Sequence, residues 1–317
     1  MPQYHEAQEF LGSLLHRLRD LPYESGLLRD LFRLTADASH ASLESVSQVL
    51  SRGQGLSARV LSMANSAYYG LHSEVASVPR AVAVLGLVEV RNLVLSMGVA
   101  ELTRACPFPP GFNREKHWVH QAGVAVAARC LARHAVRRGV VVDPDILYTA
   151  GLLHDLGKLL IAAFAPGAWL NIRALRDTGR ALHSDDTGEQ RRAEDALPLT
   201  DRDAEDRYWG VDHAVVGAHA LAYWNLPEAL TEPINWHHQP LLAGKYQPAA
   251  TLLELADCLL HAQQTGDIAL SAAVLTAGSD PLLVRLAPFV EDAAAFMEEL
   301  DASLDPERLA ALAAHLA

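Results

Sequence analysis

Apolar residues recur at spacings of three and four along most of the chain, and few runs alternate with the period of a strand. That pattern predicts an all-α protein. Leu27, Leu28, Leu31, Phe32 and Leu34 fit one helical face, and Leu43, Val46, Val49 and Leu50 fit another. Val60, Leu61 and Ala64 lead into a turn at Asn65-Ser66. Ser77-Val78-Pro79 opens the next helix, with the proline in the first turn, where its missing N–H costs little. Val82, Val84, Leu85, Leu87 and Val88 continue it, followed by Leu93, Val94, Leu95 and Val99.

The stretch 106–113, Cys-Pro-Phe-Pro-Pro-Gly-Phe-Asn, ends any helix and marks a boundary between two lobes. Beyond it, a helix over 117–138 rich in alanine and valine carries His117, His120 and His134. Asp143-Pro144 starts the next helix, which holds the pair His154-Asp155. In residues 177–207 Asp, Glu, Arg, Thr and Gly crowd out apolar residues, which predicts a solvated loop or insertion. Order resumes at Tyr208-Trp209, and Pro227, Pro233 and Pro240 punctuate the helices from 213 to 240. Asp280-Pro281 and Asp305-Pro306 read as helix starts in a C-terminal helical segment.

Composition narrows the class. Half of the 317 residues are apolar and a fifth are charged, enough for a sizeable core. With 38 acids against 26 bases the net charge is −12, and no basic run interrupts it, which argues against a nucleic-acid partner. Cys106, Cys130 and Cys258 make no CxxC spacing and read as free thiols of a reducing compartment. The start, Met-Pro-Gln-Tyr-His-Glu, lacks the flanks of a signal peptide, and no uninterrupted apolar stretch reaches a membrane span. A cytoplasmic protein without a membrane partner is the expectation.

Candidate chemistry centres on Leu-Leu-His-Asp-Leu-Gly-Lys at 152–158. A carboxylate in so apolar a setting costs several kcal/mol unless something neutralises it, and a metal ion is the usual remedy. His120 upstream, and His213, His237, His238 and Asp257 downstream, stand in similar apolar surroundings. Adjacent helical residues point about 100° apart, so His154 and Asp155 can serve one ion, or Asp155 can bridge two. Lys158 lies one turn beyond His154, placed to hold an anionic phosphate. Gly157 and Gly217 leave room for close helix crossings. His117 is a weak competitor of His120, and the remaining histidines, His134 among them, read as ordinary core or surface residues. Ligands of nitrogen and oxygen suit Fe, Mn or Zn, as one or two divalent ions.

Specific motifs add a family. Arg59-Val-Leu-Ser-Met-Ala-Asn-Ser-Ala-Tyr-Tyr-Gly70, Ser77-Val-Pro-Arg-Ala-Val-Ala-Val-Leu-Gly86 and Val90-Arg-Asn-Leu-Val-Leu95 resemble the first half of an HDOD domain. Trp118 to His120, Ala150 to Lys158, Gly210-Val-Asp-His-Ala-Val-Val-Gly217, Trp224-Asn-Leu-Pro227 and His237-His-Gln-Pro240 resemble the second. The resemblance covers roughly 20–262. It implies a two-lobed all-helical fold with an HD-type core, its first lobe about 20–105 and its HD-like lobe about 114–262. Residues 1–19 become a helical lead-in and 263–317 a C-terminal helical segment. Carried over from HD and HD-GYP hydrolases, the metal ligands fall on His120, His154, Asp155, His213, His237, His238 and Asp257. Gln239-Pro240 stands where an HD-GYP protein continues towards Gly-Tyr-Pro, and Lys116 replaces the extra acid of three-metal relatives.

Two functions follow as expectations. The first is a signal-transduction or regulatory module with a His/Asp metal site, facing a signalling protein partner or a small nucleotide-like ligand. The second is a metal-dependent phosphohydrolase acting on a nucleotide or other phosphate ester. In that case Asp155 and Lys158 would be its catalytic residues.

Overall fold

Every regular element among the described residues of the computed structural model is helical. Those residues are 4–19, 43–50, 54–66, 69, 74–104, 106–178, 199–224, 226–265 and 281–316. The face Leu27–Leu34, the middle of the polar segment (179–198) and Asp280 lie outside them.

The helices run α1 (Tyr4–Arg19), α2 (Leu43–Leu50), α3 (Gln54–Ala64), α4 (Val78–Arg104), α5 (Arg114–Arg137), α6 (Pro144–Leu153), α7 (Leu156–Phe164) and α8 (Pro166–Thr178). They continue as α9 (Asp201–Tyr208), α10 (His213–Tyr223), α11 (Glu228–Asn235), two single 3₁₀ turns, α12 (Gln247–Thr265), α13 (Pro281–Leu286), α14 (Ala293–Ser303) and α15 (Pro306–Leu316).

Local chemistry sets these boundaries. Asn65 closes α3: its Oδ1 accepts from Val75 N at 2.7 Å, while its Nδ2 donates to Leu61 O and Val75 O at 2.9 Å each. The Ala-Asn-Ser motif thus ties Val75 back onto the helix end. Asn113 caps α5 through Lys116 N, Asp143 caps α6 through Asp145 N, and Asp305 caps α15 through Arg308 N. Gly86 breaks the ladder of α4 at φ 79°, ψ 162°, a conformation closed to L side chains, so α4 is kinked rather than continuous.

Helix α5 is the most extensively packed helix among the described residues. It packs against α6 and α12, with α14 and α15 on its flank, while α2 and α3 pack on α4. Trp118, Tyr148 and Trp209 are fully enclosed, and Phe10 of α1 meets Trp209 with ring centroids 4.9 Å apart. Two helical stretches, Val78–Ala100 and Pro144–Phe164, are long and apolar enough to cross a membrane by length and composition. They bury 67% and 89% of their most apolar windows inside the protein, as core helices do.

A charged group sits in the seam where α4 meets α5 and α6. Glu89 is 7% exposed, its Oε1 is 3.4 Å from Arg129 Nη1, and the Arg129 guanidinium lies 4.2 Å over the Tyr148 ring. Burial pushes the Glu89 carboxyl up to about 7, against the opposing pull of Arg129. The folded value exceeds the unfolded one of 4.5, so folding favours the protonated acid. This contribution is complete below pH 4.5 and lost as pH rises through about 7. The swing is about 3 kcal/mol. Glu89→Gln is expected to flatten this part of the stability profile, read from urea midpoints between pH 5 and 8.

Candidate metal centre

His154 and Asp155 occupy a turn between α6 and α7, not the interior of one helix as the spacing suggested. His154 keeps helical angles (φ −57°, ψ −38°), and Asp155 opens to φ −97°, ψ 14°. Two backbone crossings hold this junction in place. A Cβ on Gly151 would stand 2.5 Å from Ala125 Cα, and one on Gly157 only 1.9 Å from the carbonyl oxygen of His213. Glycine therefore lets α6 lie on α5 and α7 lie on the start of α10. The first crossing brings His154 towards His120, and the second brings Asp155 to His213.

The seven side chains singled out in the sequence come together here. His120 Nε2 is 3.1 Å from Asp257 Oδ1 and 3.9 Å from Asp155 Oδ2. His154 Nε2 is 3.5 Å from Asp155 Oδ2 and 3.7 Å from Asp257 Oδ1. On the opposite side, His213 Nε2 is 3.0 Å from Asp155 Oδ1 and 2.9 Å from His238 Nε2. The His237 ring stands 5.3 Å from that of His154 and 3.9 Å from that of His238. The donors form two triads, His120/His154/Asp257 and His213/His237/His238. Asp155 lies between them, and a third grouping, His154/Asp155/His237, joins the two.

Three imidazoles are oriented by their far nitrogens. Nδ1 of His154 donates to Gly151 O at 2.9 Å, and Nδ1 of His237 donates to Ile234 O at 2.7 Å. Nδ1 of His213 donates to Glu205 Oε2 at 2.6 Å. Each arrangement aims Nε2 inward, the orientation that outer partners impose on metal-ligating histidines. Nε2 of His154 and Nε2 of His237 are buried with no hydrogen-bonding partner, and buried Oδ1 of Asp155 faces His213 Nε2 at 3.0 Å. An orphaned buried polar atom costs about 1–3 kcal/mol. A cation coordinated by these atoms would satisfy both imidazoles and share the carboxylate, so the donor set fits a divalent metal.

The electrostatics agree. Burial works against ionisation of Asp155, yet His154, Lys158 and His213 hold its carboxyl well below the usual range. His120 and His154 do the same for buried Asp257. Burial would depress His213, but the Glu205 carboxylate beside it holds its proton, and it is pushed up to about 10. His237 is pushed down to about 3 by burial and by repulsion from His154 and His213. Protons and Lys158 therefore balance the two carboxylates, and a divalent ion taking their place would release protons. Each triad has a partly exposed edge around a buried middle: the His120 and Asp257 side chains are 17% and 26% exposed and His238 is half-buried, whereas those of His154 and His213 are 0% and 1% exposed.

Two placements differ from the sequence reading, and that of His117 agrees with it. Lys158 does not project freely: its ammonium is 2.7 Å from Asp155 Oδ2 and 3.7 Å from Asp201 Oδ2. His117 contributes no donor to either triad and instead contacts Gln121 Nε2 at 3.3 Å. Residues 201–208 form α9 rather than a solvated loop. Glu205 on that helix is 5% exposed, and it holds both the backbone N–H (2.8 Å) and the ring of His213. The overlooked signal was Thr200-x-x-Asp203, a reciprocal capping box that starts a helix inside the acid-rich stretch. Glu205→Gln is expected to weaken metal binding by about 10- to 100-fold, the usual effect of losing an outer carboxylate on a histidine ligand. Competition against a chromophoric chelator measures it.

The chain matches the family model of the HDOD domain over residues 21–240. An uncharacterized protein of Treponema pallidum (strain Nichols) is 23% identical over 259 residues, which is 81% of this chain and 45% of that protein. The chain thus spans about half the length of the curated relative it matches. A crystal structure of a candidate phosphohydrolase from Shewanella amazonensis SB2B superposes with a TM-score of 0.70 at 24% identity, covering 96% of this chain and 98% of that one. A candidate signal transduction protein from Marinobacter aquaeolei VT8 gives a TM-score of 0.73 at 21% identity, covering 100% and 67%. At these identities the likeness establishes the fold.

Proposed function

This chain belongs to the HDOD domain family, and from that premise we propose that it is a regulatory signalling module built around a His/Asp centre for one or two divalent ions. The placement of Lys158 carries this choice. Its ammonium is held by Asp155 at 2.7 Å and lies 3.7 Å from Asp201, whose own Oδ1 takes Arg176 Nη1 at 2.6 Å. A lysine engaged by two carboxylates has little charge left for a substrate phosphate. The missing Gly-Tyr-Pro after His237-His238 points the same way. His154, Asp155, His237 and the Nε2 of His213 would hold the metal from the buried middle, and His120, Asp257 and His238 from the more open edges. Its state would then be passed through α7 and α10, which meet at Gly157, to a protein partner or a small nucleotide-like ligand.

A metal-dependent phosphohydrolase is the second reading, favoured by the complete donor set and by the opening at His120 and Asp257. A bound metal would lower the pKa of a coordinated water and polarise a phosphoryl oxygen. Asp155 would orient the centre, and Lys158 would have to leave Asp201 to meet the substrate. Assays of the metal-loaded chain on nucleoside mono- and diphosphates and on a generic phosphodiester separate the two. The regulatory reading expects rates no higher than those of Asp155→Ala. Multiple turnovers that disappear in Asp155→Ala would overturn it in favour of the hydrolase.

A further inference from the structure

A second group of unlike donors lies further along α5, about three to four turns beyond His120. Cys130 and His134 stand one helical turn apart, and Glu299 reaches them from α14. His134 Nε2 is 3.0 Å from Glu299 Oε2, and the Cys130 thiol lies beside the same pair. One ligand atom from each residue lies within 4.8 Å of the other two. Around a zinc-sized ion at about 2.0–2.3 Å, tetrahedral donors stand roughly 3.3–3.8 Å apart. Small side-chain rotations would therefore close the three on a common point.

The surroundings hold two of the three donors still. Cys130 is 5% exposed, and the His134 ring packs edge-on against Phe296, with centroids 5.3 Å apart at 79°. The Glu299 side chain is 44% exposed, which leaves room at the rim for a solvent oxygen as fourth donor. Arg133 and Arg137 lie nearby and work against a cation, so the thiolate must supply much of the affinity. Glu299 falls beyond the family match at 21–240, and none of the three residues touches the His-Asp centre.

We propose that Cys130, His134 and Glu299 form a second metal site, for a thiolate-preferring divalent ion of the zinc class, which fastens α14 to α5. The ion displaces the thiol proton of Cys130, so binding releases one proton to solvent. The nitrogen and oxygen donors of the His-Asp centre contain no sulfur, which gives the two sites different spectra.

Cobalt(II) serves as the probe, because a sulfur ligand produces a thiolate-to-cobalt charge-transfer band in the near ultraviolet. Adding cobalt to the reduced, metal-free full chain is expected to produce that band. Cys130→Ser should abolish it, whereas Cys106→Ser and Cys258→Ser should leave it intact. Glu299→Gln, a change at the surface with little consequence for folding, should lower the cobalt affinity read from the band by at least about tenfold. Zinc should also slow amide exchange in 293–303 in the wild type and not in Cys130→Ser. Absence of the band at saturating cobalt overturns the proposal, as does a band that survives Cys130→Ser.

Discussion

Asp155→Asn is expected to lose metal binding by at least about 100-fold while the chain stays folded. Removing an outer partner of a ligand already costs about 10- to 100-fold, and Asp155 is a ligand candidate placed between both triads. The amide keeps the shape of the carboxylate and removes its charge, so both sets of donors lose their common anion at once. The metal-free chain should also be weakened, by about 2 kcal/mol. That is below the roughly 3–5 kcal/mol of a fully buried broken pair, because Lys158 is 25% exposed and keeps Asp201 nearby. Urea unfolding in the presence of a chelator isolates this effect, and titration with manganese isolates the first. Unchanged manganese affinity would remove Asp155 from the centre.

The sequence made this centre legible because burying a His-Asp pair is costly, and five further His or Asp residues in apolar surroundings repeat that cost. Chain order did not show how the seven arrange as two triads with Asp155 between them, since that depends on helix crossings between residues far apart. Glu205 was hidden for a different reason. Composition in 201–207 is that of a solvated segment, and only the spacing from Thr200 to Asp203 reveals a helix that turns one acid inwards. The spacing puts Lys158 one turn beyond His154, but its pairing with Asp201 joins α7 to α9 across a long stretch of chain, which no local pattern shows. Likewise, the all-helical class followed from apolar spacing, whereas the kink at Gly86 appears only in the backbone.

Gly157→Ala is expected to destabilise the protein by about 3 kcal/mol or more. The added methyl group would face the His213 carbonyl oxygen at 1.9 Å, its carbon at 2.7 Å and its Cα at 2.9 Å. These are backbone atoms, so no rotamer change relieves the clash, and α7 must move off α10. That movement separates Asp155 from His213, so metal affinity should fall together with stability. Gly167→Ala is the control: nothing lies within 4 Å of its Cβ position, and it sits in the first turn of α8. Its effect should be within about 1 kcal/mol, in the stabilising direction. Equal urea midpoints for the two variants would show that the α7–α10 crossing is looser than its geometry indicates.

As a metal cradle, the chain would hold an ion at Asp155, between the two sets of histidines. Anomalous scattering from crystals of the full chain loaded with manganese tests it most directly. The expected map shows at least one ion bonded to Asp155 and to Nε2 of His154 or His237, with Nδ1 of each ring still donating to Gly151 O or Ile234 O. A map at saturating manganese with no ion within bonding distance of these atoms would contradict it.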